Sequence, residues 1–93
     1  MIIISYDIAD NKLRTKFSRF ISKFGYRLQY SVWRIDNSER ILDNIANEIN
    51  NKFLKKFDEE DSVYIFQMSK TCKITTYGYA KHNDESLIII DRS

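Results

Sequence analysis

"YRLQYSVWRI", residues 26 to 35, is the stretch on which the fold turns. Taken as one strand, it alternates Leu28, Tyr30 and Val32 with Arg27, Gln29, Ser31 and Trp33, which gives an apolar face and a mostly polar one. The element order is then β-α-β-α-β-β. Taken as two short segments broken near the aromatic pair, the same residues give β-α-β-β-α-β instead. The residues accommodate both.

Upstream, residues 2 to 7 alternate Ile2, Ile4 and Tyr6 with Ile3, Ser5 and Asp7, and β-branched isoleucine favours the pleated backbone, so this is a first strand. Asp10 follows as a helix N-cap, its carboxylate placed to accept the orphan N–H groups of the first turn. Leu13, Phe17, Phe20, Ile21 and Phe24 then recur at helical spacing, and Gly25 is expected to end that helix in a left-handed conformation. Downstream, "DNS" at 36 to 38 is a turn and cap cluster. Ile41, Leu42, Ile45, Ile49 and Phe53 form a second helical stripe closed by Lys52, Lys55 and Lys56, whose charge suits a helix C-terminus. "SVYIFQM" (62–68) and "KITTY" (73–77) predict two more strands, the latter stopped by Gly78. "LIII" (87–90) is an additional apolar run beyond a polar spacer. With residues 26 to 35 split, the order is that of a ferredoxin-like α+β sandwich in which both helices cover one sheet face.

At 93 residues the chain has the size of one domain, residues 1 to 93, with no repeat, linker or low-complexity segment. A domain this small buries only about two-thirds of the surface its unfolded chain exposes, so a partner subunit would help. The 43% of hydrophobic residues suffice for a core and argue against disorder. One cysteine excludes an internal disulfide, and Cys72 with His82 is too small a set of soft ligands for zinc. Cys72 reads as a small buried apolar residue, and the cysteine usage fits a reducing cytoplasm. The opening "MIII" meets Ser5 and Asp7 at once, and reads as a strand rather than a signal peptide or membrane span. Two glycines give no Gly-rich phosphate loop, and Ser31 has no histidine partner for a hydrolase triad.

The net charge of +2 is small, but residues 11 to 35 hold Lys12, Arg14, Lys16, Arg19, Lys23, Arg27 and Arg34 and no acid, while "DEED" at 58 to 61 collects the opposite sign. A run of one sign is ordinarily a solvated face; its clustering on one helix and one strand points toward a phosphate-binding surface. Arg14, Lys16, Arg19 and Arg27 are the candidate phosphate contacts, Arg by bidentate hydrogen bonding and Lys as a point charge. Tyr6, Tyr30 and Trp33 could stack on bases, although such rings more often pack a core or an interface. A carboxylate at the end of a buried strand suits a hard cation such as Mg²⁺, which makes Asp7 the candidate metal ligand; the plain alternative is a turn cap. One Asp is a thin site, but a two-fold axis near the strand end would bring two copies together. Helices are expected over Leu28, Tyr30 and Val32. The other face, with Arg27, Gln29, Ser31 and Trp33 beside Ile3, Ser5 and Asp7, then predicts a homodimer through open sheet faces.

Residues 6 to 33, "YDIADNKLRTKFSRFISKFGYRLQYSVW", resemble the small Cas-two family, the second core protein of CRISPR adaptation. The shared pattern is an apolar strand ending in Tyr-Asp-Ile, a following Asp, an Arg-bearing helix, a Gly, and Arg-x-Gln-x-Ser-Val with an aromatic. Here these are Tyr6, Asp7, Ile8, Asp10, Arg14, Gly25, Arg27, Gln29, Ser31, Val32 and Trp33. The resemblance implies the split order and a homodimer whose two Asp7 carboxylates bind a divalent metal. It implies a metal-dependent endonuclease that hydrolyses phosphodiester bonds of single-stranded RNA or duplex DNA. Tyr6, Arg14, Lys16, Arg27 and Trp33 match positions that support activity, with Lys16 where many relatives carry Arg and Trp33 where most carry Phe. The implied biological role is an adaptor that bridges two integrase dimers during spacer DNA capture, with "LIIID" as a strand added to the partner's sheet. Two other readings compete. One is a free-standing toxin-type endoribonuclease of the same fold. The other is a non-catalytic RNA-binding module, which needs two or three exposed aromatics on an open sheet face, where Trp33 is the only one expected.

Overall fold

Residues 26 to 35 are split. In the computed structural model, which describes residues 1–35, 39–69, 71–75, 77 and 78, Tyr30 and Ser31 form a turn between two antiparallel strands. The elements are β1 (Ile2–Asp7), α1 (Asn11–Ile21), β2 (Gly25–Gln29), β3 (Val32–Ile35), α2 (Glu39–Glu48) and β4 (Ser62–Gln67). The β-α-β-β-α-β order therefore holds, and the sheet runs β2-β3-β1-β4 with every pairing antiparallel.

Alternation along β1 sends Ile2, Ile4 and Tyr6 into the core, where they meet Leu13, Phe17 and Ile21 of α1 and Ile45 of α2. Asp10 caps α1 as expected, its carboxylate accepting from Leu13 N–H at 2.8 Å. The second stripe outlasts its α-helix: a π-helical turn at Ile49–Phe53 and a 3₁₀ turn at Leu54–Lys56 follow. Four α-helical residues overshoot a full turn by about 40°, so a wider turn keeps Phe53 on the line of Ile45 and Ile49. Phe53 thereby packs edge-on against Phe17, with ring centroids 5.0 Å apart.

Three expectations are corrected. Gly25 does not end α1 in a left-handed conformation, since Gly78 is the residue with positive φ among those described. Instead α1 closes through right-handed turns, with Ser22 N–H donating to Ser18 O and Ser22 Oγ to Arg19 O. Gly25 is needed because a Cβ there would run into Arg34 O and lie 2.8 Å from Ile35 Cδ1. "KITTY" is not a regular strand over its described residues; Thr75 makes an isolated bridge, and Lys73, Thr75 and Tyr77 are exposed while Ile74 is half-buried. Cys72 is exposed rather than buried, its thiol 3.5 Å from Met68 Sδ. The run at 87 to 90 and His82 lie outside the described residues.

Replacing Gly25 with Ala should cost at least about 1 to 3 kcal/mol, the usual range for overpacking, because the clash is partly with backbone that side-chain rotation cannot relieve. Urea unfolding would show it as a lower midpoint at unchanged slope.

Candidate metal and nucleic-acid site

Consecutive residues of β1 point to opposite faces, so Tyr6 and Asp7 leave the same strand end in opposite directions. The Tyr6 ring is buried, edge-on to Phe17 at 4.8 Å, and its hydroxyl accepts a hydrogen bond from Trp33 Nε1 at 3.2 Å. Asp7 is exposed, and its carboxylate makes no hydrogen bond or ion pair among the described residues. The loop after it is held firmly. Arg14 donates to Ile8 O at 2.9 Å, to Ala9 O at 3.3 Å and to Asn11 Oδ1, while Ala9 N–H donates to Asp61 Oδ1 at 3.0 Å. Asp61 Oδ2 also accepts from Asp58 N–H, and these two backbone donors hold the Asp61 carboxyl below its ordinary pKa.

The helix side of the same strand end carries a groove of about 270 Å³ lined by Tyr6, Arg14, Thr15, Ser18, Arg27 and Tyr30. The Arg27 guanidinium lies 4.9 Å above the Trp33 ring and 5.9 Å from Tyr30, and Arg14 approaches Tyr30 from its own side. Arg27 Nε is buried without a hydrogen-bond partner among the described residues. The expected placement of Arg27 and Trp33 on the open face is wrong. A bulge at Leu28 separates Arg27, paired with Trp33, from Gln29, paired with Val32; Trp33 in turn pairs with inward Ile4 and Val32 with outward Ser5. Arg27 and Trp33 therefore face the helices, and Trp33, only 6% exposed, is no platform for a base.

The five expected nucleic-acid contacts do not converge. Arg14 and Arg27 share the groove, whereas Lys16 lines a second one of about 250 Å³ with Lys12, Lys56, Asp10, Asp58 and Leu13. Arg19 lies exposed in the last turn of α1. On the open face the sequence reading missed Tyr64 and Phe66 of β4, which pair with Ser5 and Ile3, are 60% and 45% exposed, and stack on each other. Alternation in "SVYIFQM" carried that signal, since Val63 and Ile65 pair with inward Tyr6 and Ile4. No group of three or more His, Cys, Asp or Glu among the described residues could hold a metal, so one chain offers Asp7 as a single ligand.

A four-stranded antiparallel sheet of order β2-β3-β1-β4 with two helices, and an exposed carboxylate ending its first strand, define a ferredoxin-like α+β protein with an acid on one side of that strand end and an arginine groove on the other. The chain belongs to the CRISPR associated protein Cas2 family, whose model matches residues 1–76. It is 27% identical over 94 residues to a CRISPR-associated endoribonuclease Cas2 of Methanospirillum hungatei, covering 95% of this chain and 97% of that protein. It is 32% identical over 79 residues to one of Chloroflexus aurantiacus, covering 83% and 80%. The fold is similar to crystal structures of a hypothetical protein from Thermus thermophilus (TM-score 0.73, 21% identity, 87% of this chain and 93% of that one) and of Streptococcus pyogenes Cas2 (TM-score 0.63, 17% identity, 75% and 87%). No helix among the described residues is long and apolar enough to cross a membrane.

Replacing Tyr6 with Phe should cost about 1 to 3 kcal/mol, because it leaves the buried Trp33 N–H without its acceptor. Chemical unfolding followed by Trp33 fluorescence would measure it, and an unchanged midpoint would contradict the assigned hydrogen bond.

Proposed function

We propose that this protein acts in CRISPR adaptation as a homodimer and hydrolyses phosphodiester bonds of single-stranded RNA, with duplex DNA as a second candidate substrate, using Mg²⁺ held by Asp7 of both subunits. The observation that carries the reading is the state of Asp7: exposed, without a hydrogen-bond or ion-pair partner among the described residues, and at the end of a strand paired on both edges. Names of the curated relatives as endoribonucleases support the activity. A hard, well-hydrated cation asks for one or two carboxylates, so the donor fits and a two-fold axis would complete it. The cation would supply Lewis-acid polarisation at the scissile phosphate. Arg27, which lines the groove, would hold the charge of a phosphate there. Because Asp7 and Arg27 leave opposite sheet faces, they would serve different phosphates of one strand. Arg14, committed to the carbonyls of Ile8 and Ala9, would position rather than react. Family membership supports a role in CRISPR adaptation, in which the homodimer would bridge two integrase dimers.

One observation favours a second reading. Tyr64 and Phe66 form the exposed aromatic pair that an RNA-binding sheet would use, which Trp33 alone could not supply. In the homodimer of the first reading, the partner subunit would cover these rings. Substituting both with Ala should turn a dimer into monomer if they are interface, and should weaken RNA binding at unchanged mass if they are a base platform; light scattering and fluorescence anisotropy separate these.

The catalytic test is Asp7→Asn. Mg²⁺-dependent cleavage of a labelled single-stranded RNA should fall by about 100-fold or more, and chelation of the metal should abolish it in the unsubstituted protein. Undiminished cleavage by the variant, with contaminating nuclease excluded, would overturn the assignment.

A further inference from the structure

The two residues between Asp7 and the N-cap Asp10 are gripped from both sides. Arg14 holds their carbonyls, and Asp61 takes the Ala9 amide hydrogen at 3.0 Å. The second Asp61 oxygen accepts from Asp58 N–H at 2.9 Å, and the Asp61 amide returns a hydrogen bond to Asp58 O at 3.0 Å. One carboxylate thus joins the loop leaving β1 to the turn entering β4. It does so beside the last pair of the β1–β4 ladder, Asp7 with Ser62.

The clamp is placed to act on the strand end rather than on overall stability. Six register pairs hold β1 to β4, and Ile8 is buried to 2% exposure, so the sheet keeps its shape without Asp61. What Asp61 restrains is the loop backbone two residues beyond Asp7, and with it the path by which the chain leaves the strand end that carries the carboxylate. A ligand free to swing must be ordered each time a cation binds, whereas a held ligand has that entropy removed in advance.

We propose that Asp61 is a positioning residue that pre-orients Asp7 for a divalent cation, an inference that rests on the reading of Asp7 as metal ligand. Outer partners of metal ligands typically change affinity by about 10- to 100-fold, and the lower end is expected for a clamp acting through backbone. The test uses the full chain and Mg²⁺ alone, with calorimetric binding and amide exchange by NMR on the Asp61→Ala, Asp61→Asn and Asp7→Asn proteins. In Asp61→Ala, exchange at Ala9 should accelerate by about tenfold or more while Ile4 is unchanged, and Mg²⁺ affinity should fall by about tenfold. RNA cleavage should recover at saturating Mg²⁺, which general destabilisation would not allow. Asp61→Asn, which keeps one acceptor oxygen, should fall between and covers the case in which the Ala variant does not fold. Faster Ala9 exchange with unaltered Mg²⁺ affinity would overturn the proposal alone. Unaltered Mg²⁺ affinity in Asp7→Asn would overturn the reading of Asp7, and the proposal with it.

Discussion

Everything in this molecule is arranged around β1 being an inner strand. With β3 on one side and β4 on the other, β1 has both edges of its backbone in ladders, and it is the strand to which the hairpin of β2 and β3 and the last strand β4 are both joined. Its side chains must then alternate, and the consequences diverge. Tyr6 is drawn into a cluster with Phe17 and Trp33, where its hydroxyl satisfies a buried indole. Asp7, one residue later, cannot be buried at all and is delivered to the opposite face with its carboxylate unspent. A buried ring and an exposed carboxylate are adjacent residues of one strand.

The surrounding charges follow the same division. Arg14 is a helix residue whose guanidinium turns back onto the carbonyls of Ile8 and Ala9, so much of its donor capacity goes into the loop. Arg27 lies on two aromatic rings and lines the groove with no hydrogen bond to the loop, unlike Arg14. The exposed Lys52–Glu48 pair at 3.2 Å is, by contrast, a surface contact worth only a few tenths of a kcal/mol at helical spacing. Position in the fold, rather than the count of bases in residues 11 to 35, decides which cation has chemistry left to offer.

The elements were largely legible because their signals are local: alternation in residues 2 to 7, the Phe17 and Phe53 stripes, the Asp10 cap. The order of strands was legible too once residues 26 to 35 were divided. What escaped was the facing of that hairpin. Alternation assumes an unbroken pleat, and a single bulged residue, Leu28, reverses the side on which Arg27 falls relative to Gln29. The candidate site inherited the error, since Trp33 and Arg27 moved from the open face to the helix face with it. Asp61 was hidden for a different reason. Its partner Ala9 is 52 residues away, and a backbone amide leaves no trace in the identity of the residue that bears it.

That long-range contact alters how the first strand should be understood. A carboxylate at a strand end is ordinarily as mobile as the loop that follows, and a mobile ligand binds a hydrated cation poorly. Here the loop is built in from three directions: Ile8 into the core, Arg14 from the helix, Asp61 from the start of β4. None of these groups needs to touch a substrate for its loss to be felt at Asp7. Asp7, Asp10 and Asp61 therefore form a set in which Asp7 alone keeps its carboxylate free of a hydrogen bond. Asp10 spends its carboxylate on the first turn of α1 and Asp61 spends both oxygens on backbone amides, so the segment that follows Asp7 is tied at its end and at its middle while the Asp7 carboxylate stays open to solvent.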